Sequence, residues 1–228
     1  MKSLHWPCII PARAGSKRVP NKNMLTFDAG TLLGNCIKKA IESNTFSEVI
    51  ISTDSLEYEE YAVSCGAITY GLRPSSLSSD KSSTTDLIVY FLNDVLPQGT
   101  EGFTLLQCTS PFTRIETIQS VTNLSRDNQG SCISVKEMVS IYAEWIYKNV
   151  DGRLVSLLDS KGYLRSQDCT PILLPTGNAY SSTKEHYLKH KSFLNTNKSF
   201  FYKIVDDDEF LDIDTFEDYR VAIHRLDR

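Results

Sequence analysis

The residues most able to do chemistry lie in a cationic loop near the start of the sequence. The loop covers residues 12–23, and its cations are Arg13, Lys17, Arg18 and Lys22. Gly15 and Ser16 form a small-residue turn between them, which exposes backbone N–H groups to phosphate oxygens, and Arg and Lys side chains neutralise such oxygens. A single cation here is typical of a solvated loop. Four cations directly after the apolar run 8–11 favour an anion site.

This loop is not one of the common phosphate-binding motifs. The patterns GxxxxGK[ST] and GxGxxG are both absent from the sequence, which argues against a Walker A loop and a dinucleotide-binding turn. The anion site must therefore rely on its cations as well as on its backbone.

A pair of carboxylates near the end of the chain is the second chemical feature. Asp212 and Asp214 are two residues apart, so in a strand both side chains point to one face. Two carboxylates can hold Mg²⁺, which takes its remaining ligands from water and phosphates. The alternative is an acidic cap on a final helix. Together with a basic phosphate loop, the metal hypothesis gains, because nucleotide chemistry needs both charges.

The elements that must position these residues alternate along the chain. Apolar runs at 8–11, 49–54, 67–70 and 103–107 read as strands, and 31–43, 56–65, 86–96 and 115–124 read as helices. This alternation predicts an α/β fold, a mostly parallel sheet with helices on both faces. In such a sheet the loops after the strands gather at one edge, where ligands bind. We expect the polar loops 12–23, 53–54, 73–85, 107–114 and 212–214 to meet there.

The regular alternation of strands and helices ends after Gly130. Residues 141–158 are aromatic and irregular, so we expect a small excursion, a hairpin or a dimer contact, within 137–182. The remainder reads as one domain over 1–228. With 228 residues and 41% hydrophobic residues, the chain can bury a sizeable core.

The composition of the chain disfavours several classes of partner and location. The net charge of −4 disfavours an electrostatic nucleic-acid binder. No apolar stretch approaches the length of a membrane span. The six cysteines form no C-x-x-C pair, which is typical of reduced thiols in a cytoplasmic protein.

Four motifs in order resemble the acylneuraminate cytidylyltransferases, the CMP-sialic acid synthetase family. IPARAGSKRVPNKN at 10–23 resembles the signature IPARGGSKxxPxKN, and LLQCTSP at 105–111 resembles LLQPTSP. LRP at 72–74 with SD at 79–80 resembles RPxxLxxD, and DIDTFED at 212–218 resembles DIDTPED. The resemblance spans nearly the whole chain, and the first and last motifs are highly specific in combination.

The resemblance implies a Rossmann-like nucleotidyltransferase fold and transfer of CMP from CTP to an acidic nine-carbon sugar, with Mg²⁺ as cofactor and release of pyrophosphate. It implies catalytic roles for Arg13, Lys22 and Asp212, and metal binding by Asp212 and Asp214. It assigns the nucleotide to Ala12, Arg13, Gly15, Ser16, Lys22, Asn23, Arg73, Asp80 and Thr84. It assigns the sugar to Gln107, Arg165, Gln167 and Tyr180, with Arg165 as the candidate for the sugar carboxylate. Members are often dimeric through the irregular middle segment, so a homodimer is expected.

The sequence departs from the family pattern at 175–182, where PTGNAYSS stands in place of a segment like PNGAIYI, and at Cys108, which replaces a proline. We expect these changes to touch the sugar side of the site. They leave N-acetylneuraminic, legionaminic and pseudaminic acids open as substrates.

Two other functions compete with this one. A Kdo cytidylyltransferase shares the chemistry, although the Gly15-Ser16-Lys17 loop and its Lys22-Asn23 ending favour the nonulosonic branch. A nucleotide-binding relative without activity is supported only by the altered segment. The retention of both charge poles argues against it.

Overall fold

A computed structural model describes residues 5–78, 82–158, 165–194 and 196–227. Its centre is a six-stranded sheet in the order β10-β6-β9-β5-β1-β4. The strands are β1 Cys8–Pro11, β4 Val49–Ser52, β5 Gly102–Leu106, β6 Ser131–Tyr142, β9 Pro171–Thr183 and β10 Ser199–Lys203. β1 runs parallel to β4 and β5, and β10 parallel to β6. Only β9 among these six strands is antiparallel to its neighbours, β5 and β6. The mostly parallel sheet predicted from the sequence is therefore confirmed.

Helices cover both faces of this sheet, as predicted. They are α1 Leu32–Glu42, α2 Leu56–Ser64, α3 Thr84–Tyr90, α4 Ile115–Asn128, α5 Lys184–His190 and α6 Phe216–Leu226. Because side chains alternate along a strand, Ile10 and Ile51 pack with α1, α2 and α4, while their neighbours Ile9 and Ile50 pack with α3 and α5. Two buried cores therefore fix the helices, and with them the loops that join helices to strands.

Side-chain caps fix where several helices begin. The Thr31 hydroxyl accepts from the N–H of Gly34 at the start of α1. Ser83 with Asp86 forms a capping box on α3, and Thr215 with Asp218 forms one on α6. The final helix therefore has a cap, as the alternative interpretation of the acidic segment expected, and Thr215 supplies it together with Asp218.

Three local predictions need correction. Residues 67–70 make only a single bridge, Ile50 with Ile68, instead of a strand. The helix predicted at 86–96 begins at Thr84 and changes to a π-helix over Phe91–Val95. Asp212 and Asp214, expected in a strand, lie in a segment outside any strand. One backbone hydrogen bond holds this segment, from the Ile213 N–H to the Thr109 carbonyl at 2.7 Å, and a single bond does not make a strand pair.

The expected excursion extends from the long strands β6 and β9. It contains a two-stranded hairpin of β7 Tyr147–Val150 and β8 Arg153–Ser156. The first part of the chain carries a second small hairpin, β2 Thr26–Phe27 with β3 Gly30–Thr31.

All six cysteines are free thiols. Within the described residues, no helix is both long enough and apolar enough to span a bilayer.

Candidate active site

The carboxyl ends of β1, β4 and β5 meet at one edge of the sheet, and a cleft of about 590 Å³ opens there. The loop after β1 forms one wall and the start of α3 forms the other. The lining residues are Pro11, Arg13, Ser16, Lys17, Arg18, Lys22, Asn23, Arg73, Leu77, Ser82, Ser83, Thr84 and Leu87. Six of the nine residues expected to bind the nucleotide line this cleft, namely Arg13, Ser16, Lys22, Asn23, Arg73 and Thr84. Asp80 lies outside the described residues.

Hydrogen bonds to backbone carbonyls hold the cationic loop in place, one from the backbone of Ala12 and one from the side chain of Asn23. Ala12 is buried, and its N–H donates to the Ser52 carbonyl at 2.9 Å. The Asn23 amide, also buried, donates to the carbonyl of Arg13 at 3.2 Å. Ala12 and Asn23 thus shape the loop that carries the Arg13 side chain into the cleft.

The tip of the loop is open. A Cβ added at Gly15 would meet no heavy atom within 4 Å, and Gly15 is exposed. The N–H of Ser16 donates to the Ala14 carbonyl at 2.9 Å, so the turn closes on itself. A ligand can approach this turn directly.

Arg73 is anchored at the end of β4. Its guanidinium donates to the Ser52 carbonyl at 2.7 Å and to the Ser52 hydroxyl at 3.2 Å. Burial lowers the pKa of Arg73, and the nearby charge of Arg13 lowers it further, whereas Asp54 opposes the shift. Arg13 and Arg73 are therefore two neighbouring cations, an arrangement that an anionic ligand stabilises.

The two charge poles meet at the rim of the cleft. Arg18 donates to both carboxylate oxygens of Asp214 at 3.0 and 3.1 Å. The Lys22 ammonium donates to the Ile213 carbonyl at 2.7 Å and lies 3.3 Å from an Asp214 oxygen. The sequence grouped Arg18 with the loop, but no local signal indicated its partner.

Asp212 lies beside this ion pair and is exposed. Protein atoms around the carboxyl group displace part of its water, which raises the pKa of Asp212, and the charge of Asp214 raises it further. A hydroxyl hydrogen bond from Thr109 and the charge of Lys22 act in the opposite direction. A cation placed near both carboxylates would relieve their mutual repulsion.

The donor set suits a hard cation bound together with a phosphate ligand. In the described part of the chain no group of three or more His, Cys, Asp or Glu side chains converges on one point. Asp212 and Asp214 thus supply two carboxylates at most. Mg²⁺ at nucleotide sites commonly takes one or two carboxylates and completes its shell with phosphates and water, so the residues present fit that ion.

A second cavity of about 280 Å³ adjoins the cleft, and we call it the side cavity. Its lining residues are Thr84, Thr85, Leu105, Gln107, Tyr180, Tyr187, Lys191, Ser192, Phe193 and Leu194. Thr84 lines both spaces, so they are neighbours. Burial raises the pKa of Tyr180, and the charge of Asp212 raises it further. The structure thus brings Gln107 and Tyr180 together, as predicted for the sugar.

Arg165 and Gln167 lie away from this cleft. Arg165 forms an ion pair with Asp168 at 2.8 Å, and its side chain is 75% exposed. Both residues precede β9, and roughly 25 Å of strand separate Pro171 from Ala179, which pairs with Leu106 at the site. Within one chain they do not join Gln107 and Tyr180.

The altered segment 175–182 divides between site and core. Ser181 and Ser182 pair with Thr104 and Phe103 in the first half of β5, away from Gln107. The buried Ser181 hydroxyl lies 2.9 Å from the Thr104 hydroxyl. The expectation that these serines touch the sugar side is therefore wrong, because the strand carries them toward the opposite edge of the sheet.

Asn178, also in this segment, joins β9 to two neighbouring loops. Its amide donates to the Thr113 hydroxyl at 2.8 Å and to the Glu209 carbonyl at 2.9 Å. Gly177 adopts φ +82°, and a Cβ there would lie 3.3 Å from the Ser110 hydroxyl. This turn therefore joins the loop that follows β5 to the acidic stretch before Asp212.

Comparison with known proteins decides the family. The cytidylyltransferase family model matches residues 7–219. The chain belongs to the cytidylyltransferase family. The resemblance seen in the motifs is confirmed.

The names of the similar cytidylyltransferases refer to acidic sugars. The chain is 34% identical over 227 residues to an N-acylneuraminate cytidylyltransferase of Streptococcus agalactiae serotype V, which covers 96% of the chain and 52% of the relative. It is 31% identical over 222 residues to the CMP-N,N'-diacetyllegionaminic acid synthase of Legionella pneumophila, covering 94% of the chain and 93% of the relative. The chain spans about half the length of the streptococcal relatives.

The cytidylyltransferase fold agrees with a solved structure. A CMP:2-keto-3-deoxy-manno-octonic acid synthetase complexed with CTP superposes with a TM-score of 0.68 at 17% identity, over 97% of this chain and 99% of that one. At this identity the likeness establishes the fold alone.

Proposed function

We propose that this protein transfers CMP from CTP to the anomeric hydroxyl of a sialic acid-like nonulosonic acid and releases pyrophosphate. One observation carries the proposal: the cationic loop and the carboxylate pair, far apart in sequence, meet at one cleft through Arg18, Lys22 and Asp214. Nucleotidyl transfer needs cations for the triphosphate and carboxylates for a metal at the same place. The names of the similar proteins in Streptococcus and Legionella support the sugar class.

The nucleotide binds in the cleft beside the cationic loop. Arg13 and Lys22 neutralise the triphosphate, which lies against the exposed turn at Gly15. Asn23, Arg73, Asp80 and Thr84 accommodate the cytidine. The cleft volume of about 590 Å³ is in the range of small-molecule sites.

The sugar binds in the side cavity. Gln107 and Tyr180 face the sugar, and its anomeric oxygen attacks the α-phosphorus while the bond to pyrophosphate breaks. The hydroxyl proton leaves during this step and passes to water or to the Asp212 carboxylate, which would align the hydroxyl directly or through water. Arg13 and Lys22 stabilise the negative charge that grows on the departing pyrophosphate.

Asp212 and Asp214 would hold Mg²⁺, which supplies positive charge at the triphosphate when bound. Arg18 and Lys22 both donate to Asp214. A bound triphosphate would give these two cations a further anionic partner and leave Asp214 available to the metal.

A homodimer completes the site in this proposal. The excursion exposes a set of apolar side chains that a partner copy would cover, namely Ile141, Tyr147, Leu154, Val155, Leu157 and Leu158. Patches of this kind mark protein interfaces. Arg165 and Gln167 would then reach the sugar from a second copy. The reduced thiols fit a cytoplasmic enzyme.

A panel assay tests the proposal. Pyrophosphate release from CTP is measured with N-acetylneuraminic, legionaminic and pseudaminic acids and with Kdo, for the wild type and for Arg13→Ala and Asp212→Ala. We expect release with a nonulosonic acid and loss of turnover in both variants, with unchanged circular dichroism. Arg220→Ala, an exposed cation on α6, is the control and should retain activity.

Other outcomes would point elsewhere. Turnover with Kdo alone would establish the Kdo branch. CTP binding by calorimetry without release on any sugar would favour a non-catalytic relative. Full activity of Asp212→Ala would refute the metal site.

A further inference from the structure

The side cavity contains a cation that the motifs did not indicate. Lys191 follows α5 directly and lines the cavity together with Gln107 and Tyr180. The other walls are aromatic or aliphatic, built from Leu105, Tyr187, Phe193 and Leu194. Lys191 is exposed, so its ammonium is open to an anionic ligand that enters the cavity.

The backbone of Lys191 is held in a defined place. It adopts φ +49°, and its N–H donates to the Tyr187 carbonyl at 2.6 Å. Two residues later the Phe193 ring packs against Tyr187 and Tyr180, with ring centroids 4.8 and 5.3 Å away. The Lys191 side chain therefore starts from a fixed point on the aromatic wall.

The carboxylate of Asp86 is influenced by the charge of Lys191, but its hydrogen-bond partners are other groups. Hydrogen bonds from the Ser83 hydroxyl and N–H lower the pKa of Asp86, and the charge of Lys191 also contributes. Those two bonds, at 2.8 and 3.2 Å, belong to the capping box of α3. None of the ion pairs formed among the described residues uses the Lys191 ammonium.

We propose that Lys191 binds the carboxylate of the acidic sugar from within the same chain and so selects an acid over its neutral analogues. This inference rests on the proposed function and deepens it. Arg165, the cation expected from the sequence, is tied to Asp168 beyond the start of β9. Lys191 lies on the cavity wall with the two residues proposed to face the sugar, and an ammonium–carboxylate contact is charge-assisted on both sides.

Kinetics of Lys191→Met provide the first test. Methionine keeps the length of the side chain and removes its charge. We expect KM for the sugar to rise about 10- to 100-fold, as when a hydrogen bond to a charged group is lost, while KM for CTP stays unchanged. Lys191→Arg should recover part of the loss. Lys189→Met is the matched control, because Lys189 lies two residues earlier, in the last turn of α5, but lines a separate cavity.

A carboxamide analogue of the sugar gives a readout that a structural role would not change. In calorimetry with CTP present, the wild type should bind the acid more tightly than the amide, and Lys191→Met should lose that preference. A merely structural lysine would lower the melting temperature and leave the preference intact, which would overturn the inference. So would a preference that disappears in Arg165→Met but not in Lys191→Met.

The two proposals fail separately. If the wild type releases no pyrophosphate with any sugar, the proposed function fails, and the calorimetric comparison of acid and amide still decides the role of Lys191. If the wild type shows no preference for the acid, the Lys191 inference is wrong whether or not the enzyme turns over.

Discussion

Arg18 and Asp214, 196 positions apart in the sequence, form a two-point ion pair with N–O distances of 3.0 and 3.1 Å. The pair joins the loop after β1 to the segment before α6, and Lys22 adds a third contact. Both charge poles of the proposed reaction therefore lie within one hydrogen-bonded group. An exposed pair of this kind adds little stability, so its value lies in placing the Asp214 carboxylate.

Asp214→Asn should separate metal binding from folding. Because the side chains are 68% and 44% exposed, we expect the free energy of unfolding in urea to change by less than about 1 kcal/mol. The apparent Mg²⁺ requirement for pyrophosphate release should rise by roughly tenfold or more. Glu217→Gln, which removes an acid nearby on α6, should change neither quantity. A normal Mg²⁺ titration for Asp214→Asn would exclude Asp214 as a ligand.

Glu209 should make stability depend on pH. Its side chain is buried, and burial raises its pKa above the ordinary carboxyl value, although the Arg114 N–H and the Thr117 hydroxyl oppose the shift. As the pH rises through the window between the ordinary and the raised pKa, the unfolded chain ionises first, so the wild type loses stability there. Glu209→Gln cannot ionise and should not show this loss.

Urea unfolding of the wild type and Glu209→Gln across a pH series measures this effect. The variant should gain on the wild type as the pH rises through that window, and the difference should level off on either side. A difference that stays constant with pH, or that moves in favour of the wild type, would contradict the raised pKa.

Gly102→Ala should destabilise the sheet. Gly102 is the first residue of β5, and a Cβ there would overlap the Trp6 ring and lie 2.6 Å from the Ser182 carbonyl oxygen. Overpacking of this kind costs about 1–3 kcal/mol, measured by urea unfolding. Gly99→Ala is the control, because its Cβ would meet no atom within 4 Å, and it should stay within about 0.5 kcal/mol of the wild type. Equal stability of the two variants would show that β5 shifts to make room.

Leu154→Glu should break the proposed dimer. Leu154 is 79% exposed on β8, within the apolar set of the excursion. A buried carboxylate without a partner would oppose association, so sedimentation should shift from dimer to monomer and turnover should fall. Val205→Glu is the matched control, since Val205 is 85% exposed just beyond β10, and it should leave both unchanged. A wild type that sediments as a monomer would refute the homodimer.

Local patterns in the sequence were enough for the fold class and for placing the cationic loop at the carboxyl edge of the sheet. The apolar run 8–11 and the helical spacing within 31–43 depend only on neighbouring residues. The alternation of such strands and helices along the chain predicted a sheet covered on both faces. The cationic loop follows its strand directly, which fixed its edge of the sheet. Gln107 was predicted for the same reason, because it follows β5.

The tertiary structure decided what those patterns left open. The partner of Arg18, the cavity beside Lys191 and the burial of Ser181 all depend on how distant segments pack. The antiparallel course of β9 carries Ser181 into the core and keeps Arg165 far from Gln107. A residue's type and local spacing fix its chemistry and its face, but the register between strands and the path of long connections set which side chains meet, and no short-range pattern encodes those distances.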